Sequence, residues 1–362
     1  MSAPPEPRLA AVPVELIDLR RRIDVRLAEV LDAEHSRWSS FDGLLDEPIS
    51  RLRAFSTNGG KRLRPAFCHL GHIAAGGDPG NTGVLDAGAA LELLHVFALI
   101  HDDVMDGSSL RRGEPTIHQH FGDRHAVSDW IGESRRFGEG VAVLVGDLAL
   151  ILADSLLSAA GPTAWSIYNE LRIELVMGQL LDIVSAASPL QDPEISQKIS
   201  LFKSAKYTVE RPLHLGAALA GRLDECAEAF TGFGLPVGEA FQLRDDVLGA
   251  FGDESKLGKP VGGDFRENKP TQLVLHAQAV AQDQHLSPAL EVLAHLGDPD
   301  LTPAQIVAIQ EVIEATGGRA AVESRIDSLL SQAVDALDSV DLERDAQDQL
   351  VGLALYCAHR DR

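Results

Sequence analysis

The sequence predicts an all-α fold, one large domain of ten or more helices, and three observations point to it. Apolar residues recur at helical spacing along almost the whole chain, while alternating, strand-like runs are scarce. Gly and Pro mark most joints between the periodic stretches, as at Gly76–Gly80, Gly161-Pro162, Gly258–Pro260 and Gly317-Gly318. Ala and Leu carry the packing: 45% of the 362 residues are hydrophobic but only 5% are aromatic. That is ample material for a substantial core.

The first helix begins at Val14, just after Pro13, and runs to Leu31 on a stripe of Leu16, Leu19, Ile23, Leu27 and Val30. Residues 1–12 read as a flexible arm, leaving 13–362 as a single domain. With no basic segment followed by an apolar run, the arm is not expected to be a signal peptide. A second helix starts after Gly83 and ends near Gly107. Further helical stretches cover 141–160, 164–185, 194–207, 209–220 and 223–250, then 271–280, 302–316, 318–337 and 341–358. Val141–Ala160 is the one stretch that could pass for a membrane span. It contains Asp147 and Asp154, which are costly at a bilayer centre, so a buried core helix is expected and no integral membrane segment.

Charge narrows the partners. There are 32 Lys+Arg against 54 Asp+Glu, a net charge of −22. Nucleic acid and anionic membrane surfaces are poor partners for such a chain, because phosphate contacts need Lys and Arg. Local anion binding through a few basic residues or bound cations stays open. Cys68, Cys226 and Cys357 lie far apart with no CxxC pair, which excludes a disulfide framework and a zinc ribbon and suits a reducing cytoplasm.

Three segments break ordinary helix chemistry. His101–Asp106 (HDDVMD) puts three acids at the C-terminal end of an apolar helix, where the dipole favours cations. Asp102 and Asp106, four residues apart, project from one face, with His95 on the same stripe. Such crowding calls for a positive charge between the acids, and hard oxygen donors suit magnesium; a solvated helix end is the plain alternative. Phe241–Gly249 (FQLRDDVLG) repeats the pattern, followed by a glycine-rich loop at 258–264 and by Lys269. The third segment, Asn58–Pro65 (NGGKRLRP), places glycines before three basic residues. It reads as an anion cradle at a helix start, with Arg111-Arg112 as a second basic island. A solvated charge run is again the alternative. Acids for a metal beside basic residues for an anion make a consistent diphosphate site.

In order along the chain stand GGKRLRP at 59–65, DDVMD at 102–106 followed by GSSLRRG, Gly178-Gln179-x-x-Asp182, and Lys203-Ser204. FQLRDDVLGAFGD at 241–253 and GKPVGGDFRENKPT at 258–271 complete the series. Together they resemble the trans-isoprenyl diphosphate synthase (polyprenyl synthase) family, and within it the bacterial geranylgeranyl diphosphate synthases. The motifs span roughly residues 45–275, and the remaining helices suit the family's fold, a helical bundle of the isoprenoid synthase type around a central cavity.

The resemblance implies the roles. Asp102 and Asp106 would hold two Mg2+ ions on an allylic diphosphate and Asp245 a third, about three per active site. Arg111, Lys203, Ser204, Gln242, Lys259 and Lys269 correspond to the allylic-diphosphate contacts, and Lys61, Arg64, His95 and Arg112 to the isopentenyl diphosphate site. Diphosphate would leave, the double bond of isopentenyl diphosphate would attack the allylic cation, and a proton would pass to the diphosphate product. Asp102, Asp106, Arg111, Lys203 and Asp245 are thus the expected catalytic set. A homodimer is implied as well.

Two departures stand out. Gly249 replaces the third acid of the second motif, and Ser204 stands where threonine is common. Product length should follow the depth below Asp102. Ala98 lies one turn down the same stripe, and Phe97 sits about 7.5 Å down the axis. A bulky aromatic with a small neighbour there resembles the pattern of synthases that stop at twenty carbons. Ordinary core packing of Phe97, and a fifteen-carbon or longer product, stay open. A class I terpene cyclase fits less well, since GGKRLRP and Arg111-Arg112 supply a second diphosphate site. A regulatory subunit fits less well because both acidic motifs are kept.

Overall fold

The computed structural model describes residues 14–188, 193–253 and 261–360. The arm expected at 1–12 and the expected substrate contact Lys259 lie outside the described residues. The chain is helical almost throughout. Its one sheet among the described residues is a minimal ribbon, β1 (Leu110–Arg111) against β2 (Glu114–Pro115), antiparallel, with Leu110 opposite Pro115 and Arg111 opposite Glu114.

The helices follow as α1 (Val14–Ser39), α2 (Asp46–Thr57), α3 (Leu63–Ala74), α4 (Thr82–Met105), α5 (Ile117–Val127), α6 (Ser134–Leu156), α7 (Pro162–Ala187) and α8 (Pro193–Ser200). A π-helical stretch (Leu201–Glu210) leads directly into α9 (Arg211–Leu219), then α10 (Leu223–Phe251) and the single turn α11 (Gly263–Arg266). Then come α12 (Gln272–Asp283), α13 (Ser287–Leu293), α14 (Pro303–Ala315), α15 (Gly318–Leu337) and α16 (Arg344–His359). Side chains explain several starts. Asn81 accepts from the Gly83 N–H to cap α4, and Thr302 with Gln305 forms a capping box on α14.

Buried apolar residues from nearly every helix join one continuous core. α4 runs through it, packed against α1, α3 and α6, and is apolar on nearly all sides: Ala87, Ala89, Ala90, Leu91 and Leu93 have no exposed surface. It, rather than Val141–Ala160, is the helix long and apolar enough to cross a membrane, and 61% of its most apolar window is buried inside the protein. The expectation for 141–160 is corrected in a second respect. The helix there is α6, and only one face is buried, through Ala142, Val145, Ala149 and Ala153. Val143, Leu144 and Ile151 stand exposed on the other side. Apolar composition alone says nothing about how many neighbours a helix finds. The three cysteines, Cys68, Cys226 and Cys357, are free and buried.

The helices over 46–57, 63–74, 117–127 and 287–293 are additions to the elements expected from periodicity. The turn α11 is a further addition, and within the helix expected over 194–207 the stretch that carries Lys203 and Ser204 is π-helical and wedged between α7 and α10 at glycines. A Cβ on Gly178 would lie 2.9 Å from Phe202 Cβ and 3.1 Å from Lys203 Cγ; one on Gly238 would lie 2.2 Å from the Ala205 Cα. Only side-chain-free positions allow that approach, and it fixes where Lys203 and Ser204 point.

Candidate active site

α4 delivers its acids in three directions. Asp103, 1% exposed, turns inward and accepts from Arg111 Nε at 2.8 and 2.9 Å on its two oxygens, with Arg111 Nη2 at 2.7 Å. Arg111, expected as a substrate contact, is therefore first of all clamped by Asp103, and its Nη2 stands 3.7 Å from Asp102. Asp102 faces α7, accepting from Gln179 Nε2 at 2.9 Å, with Lys203 Nζ 3.6 Å away. Lys203 donates to Asp182 at 2.5 Å. Asp106 caps the helix; burial, and then repulsion from Asp102, raise its carboxyl above the usual range.

Across from it, α10 separates the residues of its second motif. Arg244 points into the protein, pairing with Glu323 and donating to the Ala358 carbonyl. Asp245 is ion-paired with Arg360, whose buried guanidinium also lies 3.9 Å from the Phe241 ring centroid. Gln242 and Asp246 share a face: Ser204 Oγ donates to Gln242 Oε1 at 2.6 Å, and Gln242 Nε2 donates to Asp246 at 3.0 Å. Burial pushes the Asp246 carboxyl up to about 7, and nearby Asp264 and Asp245 add to the rise. Lys269 pulls down both Asp106 and Asp246, so the two acidic groups share its field.

The basic residues gather beside these acids. Gly59 and Gly60, at φ 86° and 103°, turn the chain in the left-handed region that glycine tolerates. Arg62 then buries itself as a structural anchor between Glu92 (2.5 Å) and Asp24 (2.7 Å). Arg64 lies 4.2 Å over the Tyr207 ring and donates to Thr208 Oγ1 at 3.1 Å. Arg112 reaches back to the Asn58 carbonyl at 2.8 Å. Lys61 is exposed at the rim. Burial, and then the charges of Arg64, Arg112, Arg111 and Arg62, hold His95 well below its ordinary value, so the ring is neutral. Arg64 Nε, His95 Nδ1 and the Tyr207 hydroxyl are buried without a hydrogen-bond partner. Unsatisfied polar atoms beside convergent arginines mark a place where an anion would complete the bonding.

Phe97 packs on His101 with ring centroids 4.6 Å apart, and Ala98 is half-buried. Several residues here have no individual role from sequence: Asp103, Gln179, Asp182, Asp246, Asp264, Tyr207 and Thr208. Asp103, Gln179, Asp182, Asp246 and Asp264 fall within quoted motifs. Tyr207 and Thr208 follow Lys203-Ser204 by four residues, which was their one available signal.

Among the described residues, no group of three or more His, Cys, Asp or Glu side chains closes on one point that could hold a metal. That suits Mg2+, which takes one or two carboxylates and leaves its other positions to water and phosphate. Asp102 and Asp106 fit that use, since their carboxylates are crowded and the nearest cations to Asp102 are side chains 3.6 and 3.7 Å away.

The sequence profile described as polyprenyl synthetase matches residues 47–300. A short chain isoprenyl diphosphate synthase of Methanothermobacter thermautotrophicus is 30% identical over 353 residues, 96% of this chain and 99% of that protein. A (2E,6E)-farnesyl diphosphate synthase of Mycobacterium tuberculosis is 29% identical over 344 residues, covering 94% and 88%. The crystal structure of a geranylgeranyl pyrophosphate synthase from Corynebacterium glutamicum, complexed with isoprenyl diphosphate and magnesium, is similar at a TM-score of 0.86. It is 36% identical and covers 95% of this chain and 99% of its own. Sharing fold and sequence with these proteins over nearly its whole length, the chain belongs to the polyprenyl synthetase family of trans-prenyltransferases.

Proposed function

We propose that this chain is a Mg2+-dependent elongase that joins isopentenyl diphosphate to dimethylallyl, geranyl and farnesyl diphosphates and releases all-trans geranylgeranyl diphosphate. One observation carries the reading: the acids of α4 and α10 share the field of Lys269, and close by four arginine charges act on neutral His95 where buried polar atoms lack partners. An allylic diphosphate with its metal suits the first environment, and a second, metal-free diphosphate suits the other.

Asp102, Asp106 and Asp245 would hold the metal, which supplies Lewis-acid stabilisation of the departing diphosphate. Asp245 must leave Arg360 to do so. Lys203, Lys269 and Arg111 add positive charge where negative charge develops, and Ser204 with Gln242 orients the same group. Lys61, Arg64, His95 and Arg112 hold isopentenyl diphosphate so that its double bond faces the allylic carbon. Apolar walls keep water from the cation.

Phe97, braced on His101, is the proposed floor, with Ala98 leaving room above it. A relative named as a farnesyl diphosphate synthase matches most of this chain, so the product must be measured. The purified chain is incubated with Mg2+, isopentenyl diphosphate and each starter, and the dephosphorylated product is sized. A twenty-carbon alcohol from all three starters supports the reading, with a longer product from Phe97→Ala. A fifteen-carbon or longer wild-type product removes Phe97 as the ruler, and no product removes the elongase.

A homodimer in the cytoplasm is part of the proposal. The exposed α6 side chains Val143, Leu144 and Ile151 suit a second subunit, and three buried free thiols suit a reducing compartment. Sedimentation should return the dimer mass, and Leu144→Glu should return the monomer.

A further inference from the structure

Gln242, Asp246 and Gly249 stand on one stripe of α10, four and three residues apart. The first two carry polar groups of the site, and the third carries no side chain. Its space is occupied all the same. A Cβ on Gly249 would lie 2.9 Å from Asp264 Oδ2, so a carboxylate from another segment stands where a side chain at 249 would begin. Main-chain bonds fix that segment: the Gly262 N–H donates to the Gly249 carbonyl at 3.0 Å, and the Lys269 N–H to the Asp264 carbonyl at 2.9 Å. Lys269 Nζ lies 3.2 Å from Asp264 Oδ1. One oxygen of Asp264 thus meets the ammonium, and the other is directed at the bare stripe of α10.

We propose that Asp264 is the third carboxylate of the α10 acidic group, delivered from the 261–269 segment through the notch at Gly249, where it supports the divalent cation. The inference rests on the metal–diphosphate reading of the site. It also gives Gly249 a purpose: a side chain there would have to push the Asp264 carboxylate aside. Because Asp264 arrives with Lys269, the acid and one of the proposed diphosphate contacts move as a unit.

The test is a relocation of the acid. Mn2+ binding to the full-length protein is measured by calorimetry with inorganic pyrophosphate present, for wild type, Asp264→Asn, Gly249→Asp and the double variant Gly249→Asp/Asp264→Ala. Melting temperatures are followed in parallel. Asp264→Asn should weaken Mn2+ by about tenfold, the usual scale for losing a supporting group. Gly249→Asp should also weaken it, although it adds an acid, because its Cβ displaces Asp264. The double variant should return to within about twofold of wild type. Unchanged Mn2+ affinity in Asp264→Asn overturns the proposal. So does a double variant that regains its melting temperature but not its Mn2+ affinity, which would assign Asp264 to packing alone. Wild type that binds no Mn2+ with pyrophosphate would instead sink the metal–diphosphate reading beneath it.

Discussion

The Lys203 ammonium donates to Asp182 at 2.5 Å and stands 3.6 Å from Asp102, so one cation ties the π-helical stretch to α7 and to the end of α4. Without it, two carboxylates repel, and under the proposed function the departing diphosphate would lose a counter-charge. Lys203→Ala should lower kcat by about 10²–10³-fold, the scale of losing one charge-stabilising donor, with Lys203→Arg recovering part of it. Steady-state kinetics at saturating substrates checks this; a kcat near wild type would remove Lys203 from the chemistry.

Arg64 should govern a different step. Its unpartnered Nε lies with His95 Nδ1 and the Tyr207 hydroxyl in the basic pocket. A hydrogen bond to a charged group contributes about 1.5–3 kcal/mol, so Arg64→Ala should raise the KM for isopentenyl diphosphate by about ten- to a hundredfold. The KM for farnesyl diphosphate should stay close to wild type. Were the allylic KM to move instead, the two diphosphate sites would have to be exchanged.

Asp246 predicts a pH dependence in the metal-free protein. Its folded carboxyl titrates at about 7, raised by burial and then by Asp264 and Asp245, against an ordinary value of 3.8. Between those values the folded state holds a proton that the unfolded chain has released. This group's contribution to stability therefore falls as pH rises from about 4 to about 7, then levels off. Melting curves in chelator from about pH 5 to about pH 8 should decline less steeply for Asp246→Asn than for wild type. Parallel curves would disprove the assignment.

Gly238 tests the packing that aims Lys203 and Ser204. An added methyl would meet the Ala205 Cα at 2.2 Å, a main-chain atom that cannot step aside alone. Gly238→Ala should destabilise the protein by about 1–3 kcal/mol in denaturant titration. It should also lower activity beyond what the stability loss explains, because Ser204 shifts from Gln242. A stable variant with full activity would mean that the wedge does not set the site.

Much of this was legible in residue order. The periodicity located α4, α7, α10 and α15 to within a few residues, since apolar spacing reports a local property of the chain. The motifs located both acidic groups and both basic islands. What periodicity could not report was neighbours: α6 looked buried by composition, yet Leu144 is exposed, because burial depends on which surfaces the bundle brings against a helix.

The sequence by itself determined that helices would form, that acids and bases of the right types would exist, and that α10 would lack its third acid. Tertiary structure alone decided which of them meet. Adjacent helical residues point about 100° apart, so Asp102 and Asp103, or Asp245 and Asp246, face different surroundings despite their proximity in the chain. Which one turns to Gln179, Arg111, Arg360 or Gln242 depends on helix register. On α10 one contact that sets it is the close approach of Gly238 to Ala205, far away in sequence. The same holds for Asp264, fifteen positions on in sequence, whose carboxylate stands against the space that Gly249 leaves open.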